Sequence, residues 1–289
     1  MGPHGSRAEI IIGALPYIQR YDGKTIVVKY GGNAMVDPAL TTAVIQDVIL
    51  MGLVGMRPIV VHGGGPQIDE AMKTSGLRPK FVQGLRVTDA DTVRIVERVL
   101  VGEINQGIVA AIQRMGGRAI GLSGKDGGLI RARKARPRQM ADGQAVDLGL
   151  VGEVAAVDPR PLRTIQEAGY IPVVAPTAAD ETGATYNINA DVVAGELAAA
   201  LPAEKLVLLT DTDGILDRDG TLIGTLTQPE VEALIADGTI SKGMLPKVGA
   251  CLRAMQGGVH KSHIINGTRE HALIEELLTT DGIGTEIVA

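Results

Sequence analysis

The residues best suited to chemistry are His62-Gly63-Gly64-Gly65-Pro66-Gln67, set between a short apolar run and a helical stretch from Gln67 to Thr74. Successive glycines let the backbone approach a ligand without Cβ interference, and their N–H groups can converge on an anion. The start of the following helix adds partial positive charge. A tight strand-to-helix turn with no ligand would use the same residues. Lys29 closes an apolar run and is followed by Tyr30, Gly31 and Gly32; such a lysine either serves a ligand or snorkels from a sheet edge. Lys247 stands at the opening of a helix, in Lys242-Gly243-Met244-Leu245-Pro246-Lys247. The helix dipole gives a cation nothing there, so an anionic ligand would explain it. Asn187-Ile188-Asn189-Ala190-Asp191 leads from a loop into a helix, where Asn and Asp also serve as plain caps.

Neither common nucleotide motif is present. Gly124-Lys125 is followed by Asp126 and has Ala119 where a Walker sequence needs its first glycine, and no Gly-x-Gly-x-x-Gly completes its third glycine. ATP, if it is a ligand, is bound by another route.

The elements that must position these residues follow from periodicity. Short β-branched runs at 25–29, 58–61, 119–122, 171–174 and 206–210 end in or near Gly or Pro, as strands buried on both faces do. Helical spacing runs through 41–52, 89–115, 161–168, 190–201, 229–236, 245–255 and 269–278. Strands alternating with helices predict an α/β fold: a mainly parallel central sheet with helices on both faces, an αβα sandwich. Ligands then bind beyond the carboxyl ends of the strands, where the glycine-rich loops fall.

Composition narrows the function classes. Lys and Arg number 28 against 33 Asp and Glu, a formal charge of −5, which gives no general attraction to nucleic acid or anionic membrane. With no Trp, one Phe and five Tyr, stacking platforms for single strands are largely excluded. The basic stretch from Arg131 to Arg138 reads as a solvated hairpin or loop edge. Cys251 is the only cysteine, which excludes internal disulfides, fits a reducing compartment and reads as a packed thiol. No apolar run approaches the roughly 18 residues a membrane helix needs; a cytoplasmic protein is expected. Met1–Ser6 read as a leader outside the folded body.

Taken in order, Lys29-x-Gly31-Gly32, His62-Gly63-Gly64-Gly65, Gly84-Leu85-Arg86-Val87-Thr88, Asn187-x-Asn189-Ala190-Asp191, Thr210-Asp211-x-x-Gly214-Ile215-Leu216-Asp217 and Gly243-Met244-x-x-Lys247 resemble the motifs of the acetylglutamate kinases, a family of the amino acid kinase superfamily. The likeness runs from about residue 7 to the C-terminus. It implies the amino acid kinase fold, with an N-terminal lobe (7–195) for acetylglutamate and dimer contact and a C-terminal lobe (196–289) for ATP. It implies transfer of the γ-phosphoryl group of ATP, with Mg2+, to the γ-carboxylate of N-acetyl-L-glutamate. Lys29 and Lys247 would flank the transferring group, with Asp191 keeping both aimed. Gly64 and Gly65 would offer N–H groups to it, Arg86 would grip the substrate α-carboxylate, and Asn187 would sit near the acetamido group. Gly31, Gly32, Asp211 and Gly214 would serve the nucleotide. Magnesium would be held by phosphates and water rather than by a protein ligand.

Helical spacing over Ala8–Arg20, with Leu15-Pro16-Tyr17-Ile18, and the stretch from His271 to Thr285 resemble the arginine-sensitive members. That implies a homo-oligomer, a dimer and then a hexamer built as a trimer of dimers. It also implies an arginine effector near Tyr17, Glu276 and Gly284. The match departs from the usual pattern in Glu275, where an apolar residue is common, and Leu278, where Phe is common. Some relatives bind a PII signalling protein; no residue here speaks to that. Competing readings are a glutamate 5-, aspartate or carbamate kinase, or a non-catalytic amino-acid sensor. Aspartate kinases carry further domains, carbamate kinases would lack the Gly84–Thr88 signature, and a sensor would be expected to have lost Lys29, Lys247 or Asp191.

Overall fold

The computed structural model describes residues 7–140, 143–280 and 282–289; the leader expected at Met1–Ser6 lies outside them. The strands are β1 (Thr25–Tyr30), β2 (Arg57–His62), β3 (Phe81–Val82), β4 (Leu85–Arg86), β5 (Ala119–Ser123), β6 (Ile130–Lys134), β7 (Arg138–Gln139), β8 (Ala145–Val146), β9 (Gly152–Val157), β10 (Ile171–Ala175), β11 (Thr177–Ala179), β12 (Thr185–Asn187), β13 (Lys205–Thr210), β14 (Thr225–Thr227), β15 (Lys261–Asn266) and β16 (Thr285–Val288). The helices are α1 (Arg7–Gly13), α2 (Leu15–Tyr21), α3 (Pro38–Leu53), α4 (Gly65–Thr74), α5 (Ala90–Glu97), α6 (Gln106–Arg114), α7 (Arg160–Glu167), α8 (Ala190–Ala200), α9 (Gln228–Ala236), α10 (Met244–Gln256) and α11 (Ala272–Leu278).

Eight strands form the central sheet in the order β14-β16-β15-β13-β1-β2-β10-β5. Its pairs are parallel except β15 with β16, which is antiparallel. A second sheet, β12-β11-β6-β9, stands beside it. The five runs read as strands are β1, β2, β5, β10 and β13; β1, β2, β10 and β13 are buried on both faces as continuous apolar runs require, while β5, at the sheet edge, exposes Ile120.

Because side chains alternate along a strand, β1 feeds two cores. Ile26, Val28 and Tyr30 join the layer with α3 and the long helical segment from residue 90 to 114. Val27 joins the other layer, with α8 and α10. Lys29 shares the parity of Val27, so its side chain leaves the sheet toward α8 and α10.

The reading of 89–115 as one helix is corrected. The segment begins as α5, capped by the Asp89 side chain accepting from Thr92 N–H at 2.8 Å, but widens to a π-helix over Arg98–Asn105 before continuing as α6. The stretch 269–278 is helical only from Ala272, because His271 adopts a left-handed backbone (φ 59°). Arg131, Arg133 and Lys134 are solvated as expected, pairing with Glu181, Glu153 and Asp147, but they lie on β6, a strand between β11 and β9, rather than on a hairpin or loop edge. Cys251 is buried in α10, and burial pushes its thiol pKa up. Among the described residues no helix is long and apolar enough to cross a membrane.

Candidate active site

Lys29 ends β1 and Lys247 lies in the first turn of α10; they meet on the carboxylate of Asp191, in the first turn of α8. Lys29 Nζ is 3.3 Å from Asp191 Oδ1 and Lys247 Nζ is 3.1 Å from Oδ2. All three side chains are at least five-sixths buried. Burial disfavours the Asp191 carboxylate, but the two ammonium groups outweigh it and hold the pKa below the ordinary range. Burial also lowers the pKa of Lys29, against the attraction of Asp191. The α8 start is fixed locally: Asn189 caps it, its Oδ1 accepting from the N–H groups of Asp191 at 2.8 Å and Val192 at 3.2 Å.

The ion pairs stand at the junction of two cavities. The first, about 330 Å3, is lined by Lys29, Gly31, Gly32, the loop Gly63–Pro66, Phe81, Gly84–Arg86, and Asn187–Asp191. The second, about 450 Å3, is lined by Lys29, Gly32, Leu209–Thr212, Gly243, Met244 and Lys247. Gly64 and Gly65 open α4, where helical N–H groups lack intrahelical acceptors. A Cβ on Gly31 would lie 2.7 Å from Lys29 Nζ, so glycine there leaves room for the ammonium.

Arg86, on the short hairpin β3–β4, is buried against the first cavity. Its Nη1 donates to Asp69 Oδ1 at 2.6 Å, its Nη2 to Gly65 O at 3.3 Å, and its guanidinium lies 4.7 Å from the Phe81 ring centroid. Carboxylate and ring fix the fork in one orientation facing the cavity.

The structure therefore brings Lys29, Lys247, Asp191, Gly31, Gly32, Gly64, Gly65, Arg86 and Asn187 to one region. Asp211 lines the second cavity, and its Oδ1 accepts the Asn33 N–H at 2.8 Å. Gly31 and Gly32 do not divide neatly to the nucleotide side, since both line the first cavity and Gly32 lines both. Gly214 lines neither; its backbone (φ 147°) packs on Thr285 and Leu222. Sequence reasoning left out Asp69 and Phe81, which orient Arg86, and Asn105, which contacts His62. Asp69 lies in the helical stretch after the glycine loop, so its nearness was readable; the other two required the fold.

Tyr17, Glu276 and Gly284 share a separate cavity of about 480 Å3 with Lys205 and His263. Glu276 Oε1 lies 2.7 Å from His263 Nδ1 and 3.5 Å from Lys205 Nζ. Burial opposes its ionisation, but these partners outweigh burial and lower its pKa. The departures at 275 and 278 are absorbed: Glu275 pairs with Arg269 at the surface and Leu278 is buried. Asp281 of the matched stretch lies outside the described residues.

Two lysines on one carboxylate, a glycine loop at a helix start and paired cavities at the strand ends have the make-up of a phosphoryl-transfer site on an α/β scaffold. The sequence model of the Amino acid kinase family matches residues 24–266. An acetylglutamate kinase of Polynucleobacter necessarius subsp. necessarius is 53% identical over 282 residues, covering 97% of this chain and 94% of that one. The chain belongs to the acetylglutamate kinases of the amino acid kinase family. Among solved structures, N-acetylglutamate synthase from Neisseria gonorrhoeae with coenzyme A and N-acetyl-glutamate superposes with a TM-score of 0.85 at 29% identity. The match covers 99% of this chain, which spans 64% of that longer protein. The same synthase with coenzyme A and L-arginine gives a TM-score of 0.81 at 27% identity, over 98% of this chain and 66% of that one.

Proposed function

We propose that the chain transfers the γ-phosphoryl group of ATP to the γ-carboxylate of N-acetyl-L-glutamate, yielding ADP and N-acetyl-L-glutamyl 5-phosphate on the route to arginine. The observation that carries this is Asp191 held between Lys29 and Lys247 where the two cavities meet. A carboxylate is already a nucleophile at neutral pH, so the reaction needs no general base; it needs anions held in line and their charge offset. In this reading acetylglutamate occupies the first cavity. Arg86 takes its α-carboxylate through a bidentate fork, Asn187 lies by its acetamido group, and the Gly64 and Gly65 N–H groups meet the γ-carboxylate and phosphoryl oxygens. ATP occupies the second cavity, beside Gly32 and Asp211. Lys29 and Lys247 stabilise the charge spread over the transferring group, and Asp191 keeps both ammonium groups aimed. The lobes are then 7–195 for acetylglutamate and 196–289 for ATP.

Magnesium comes with the nucleotide and offsets phosphate charge. Among the described residues no cluster of three or more His, Cys, Asp or Glu could hold a metal, and one oxygen of Asp211, Oδ1, accepts a backbone N–H. This donor set fits an ion carried by phosphates and water.

The same proposal includes a cytoplasmic enzyme regulated by arginine. The Glu276 cavity offers a buried carboxylate for a guanidinium and Lys205 for a carboxylate, and the Neisseria synthase described with L-arginine is a relative in fold. Ile10, Ile11 and Ile12 on α1 are 64–70% exposed, an apolar turn of helix that pairing dimers into a hexamer would cover. An ADP-release assay over acetylated and free acidic amino acids tests the activity; turnover of free glutamate or aspartate in preference to acetylglutamate would refute it. Arginine titration to millimolar levels tests the regulation, and a flat curve removes it.

A further inference from the structure

The long helical segment from residue 90 to 114 is α-helical at both ends and π-helical over Arg98–Asn105. π-Turns inside helices concentrate at functional sites, and this one lies under the glycine loop. Leu100 and Ile104 press on Gly64: a Cβ there would meet the Ile104 Cδ1 and lie 2.8 Å from Leu100 Cδ2. The next residue, Asn105, is fully buried and reaches His62, also fully buried.

The hydrogen bonds run in one direction. Asn105 Nδ2 donates to Val173 O at 2.9 Å and lies 3.2 Å from His62 Nε2. His62 Nδ1 lies 2.8 Å from Gly63 O. A carbonyl needs a donor and an amide nitrogen needs an acceptor, so only the neutral Nδ1–H tautomer satisfies both contacts. Gly63 N–H donates to Tyr30 O at 2.8 Å. Both polar atoms of Gly63, which lines the first cavity together with Gly64 and Gly65, are thereby tied to the scaffold. The sequence makes room for this arrangement on β5 as well, where a side chain at Gly121 would collide with Asn105 Oδ1. That oxygen has no hydrogen-bond partner. Burying an unpaired amide oxygen is costly, which argues that Asn105 is kept for what its nitrogen holds.

We propose that the π-helical segment is the seat of the phosphoryl-binding loop, with Asn105, acting through His62, as a positioning residue for transfer. This rests on the phosphoryl-transfer reading above. The loop N–H groups then wait in the geometry the transition state needs, rather than being ordered by it. Burial keeps the His62 pKa down at about 4, so His62 acts as a fixed neutral strut and moves no proton.

The test begins with wild-type turnover of acetylglutamate, whose absence would refute the underlying reading and not this one. His62→Leu and Asn105→Leu are then compared with wild type at saturating substrates. The expected result is a kcat lower by roughly 10–100-fold, with both KM values within about threefold. Affinity for ADP with aluminium fluoride and acetylglutamate should fall in step with kcat. His62→Asn, which keeps a donor near the Nδ1 position, should recover most of the loss with an unchanged kcat–pH profile from pH 6 to 9. Wild-type kcat in both leucine variants, a loss confined to KM, or a profile that loses a limb in His62→Asn would each overturn the proposal. Should the leucine variants fail to fold, nitrogen NMR of the wild-type imidazole decides: an Nε2–H or protonated ring at pH 6 overturns it.

Discussion

Gly195→Ala would test how the two lysines are brought to one carboxylate. Gly195 lies one helical turn past Asp191 on α8, and Ala250 lies about one turn past Lys247 on α10, the helix packed against it. A Cβ on Gly195 would sit 2.7 Å from Ala250 O, 2.9 Å from its Cα and 3.1 Å from its carbonyl carbon. All are backbone atoms, so no rotamer change can relieve the contact. The helices must part by roughly 0.7 Å to restore ordinary van der Waals separation. Most of that displacement reaches Lys247, because α10 is a rigid rod over so short a distance, and the 3.1 Å pair with Asp191 opens. A misplacement approaching 1 Å at a reacting centre costs up to about 100-fold, so kcat should fall about 10- to 100-fold while the KM for acetylglutamate stays within about threefold. Overpacking also costs about 1–3 kcal/mol of stability, a drop of several degrees in Tm. The assay is steady-state ADP release at saturating substrates, with circular dichroism to establish the folded fraction. A folded Gly195→Ala enzyme with wild-type kcat would refute the claim that this helix seam sets the lysine geometry.

Replacing Lys29 or Lys247 by Met should lower kcat by about 100- to 1,000-fold, from about 2.7–4 kcal/mol of lost transition-state stabilisation; steady-state kinetics of each variant checks it. Arg86→Leu should raise the KM for acetylglutamate at least tenfold and leave the KM for ATP nearly unchanged, with the reverse pattern placing Arg86 in the wrong subsite. Buried His62, with its pKa lowered to about 4, stays neutral in the folded chain while the unfolded chain takes up a proton below about pH 6.5. Its contribution to stability is therefore whole above pH 6.5 and lost as pH falls toward 4. Between pH 6.5 and 5 this amounts to about 1.6 kcal/mol, so the stability of wild type relative to His62→Asn should shrink by that order in urea titrations at the two pH values.

The parts of this molecule governed by local pattern were readable from the chain. The β1, β2, β5, β10 and β13 runs are apolar on both faces, which only a covered parallel sheet tolerates, and the glycine loop after β2 declares itself by composition. Short strands without an apolar run escaped: β11 and β12 owe their state to pairing with each other and with β6. The polar strand β15, Lys261-Ser262-His263-Ile264-Ile265-Asn266, is held by β13 and β16 rather than by its own hydrophobicity. The π-turn was hidden for a different reason. Val96, Val99, Leu100, Ile104 and Ile108 keep helical spacing well enough to suggest an unbroken helix, and only the crowding of Gly64 and His62 against it shows the wider turn. In the site, Lys29, Lys247 and Asp191 were individually ambiguous, each having a bland role in its own element. What no local reading supplies is that β1, α8 and α10 aim them at a common point.

The strand that carries Lys29 is laddered on both edges, to β2 through six register pairs and to β13 through four. A molecule built this way has no clamshell hinge along its midline, since swinging the two flanks apart would tear backbone bonds from β1 itself. Whatever opening lets a charged acyl phosphate escape before water destroys it must come from parts that float free of the ladder. The β3–β4 hairpin stands outside that ladder, clasped by two register pairs of its own and moored to α4 through the Arg86–Asp69 pair.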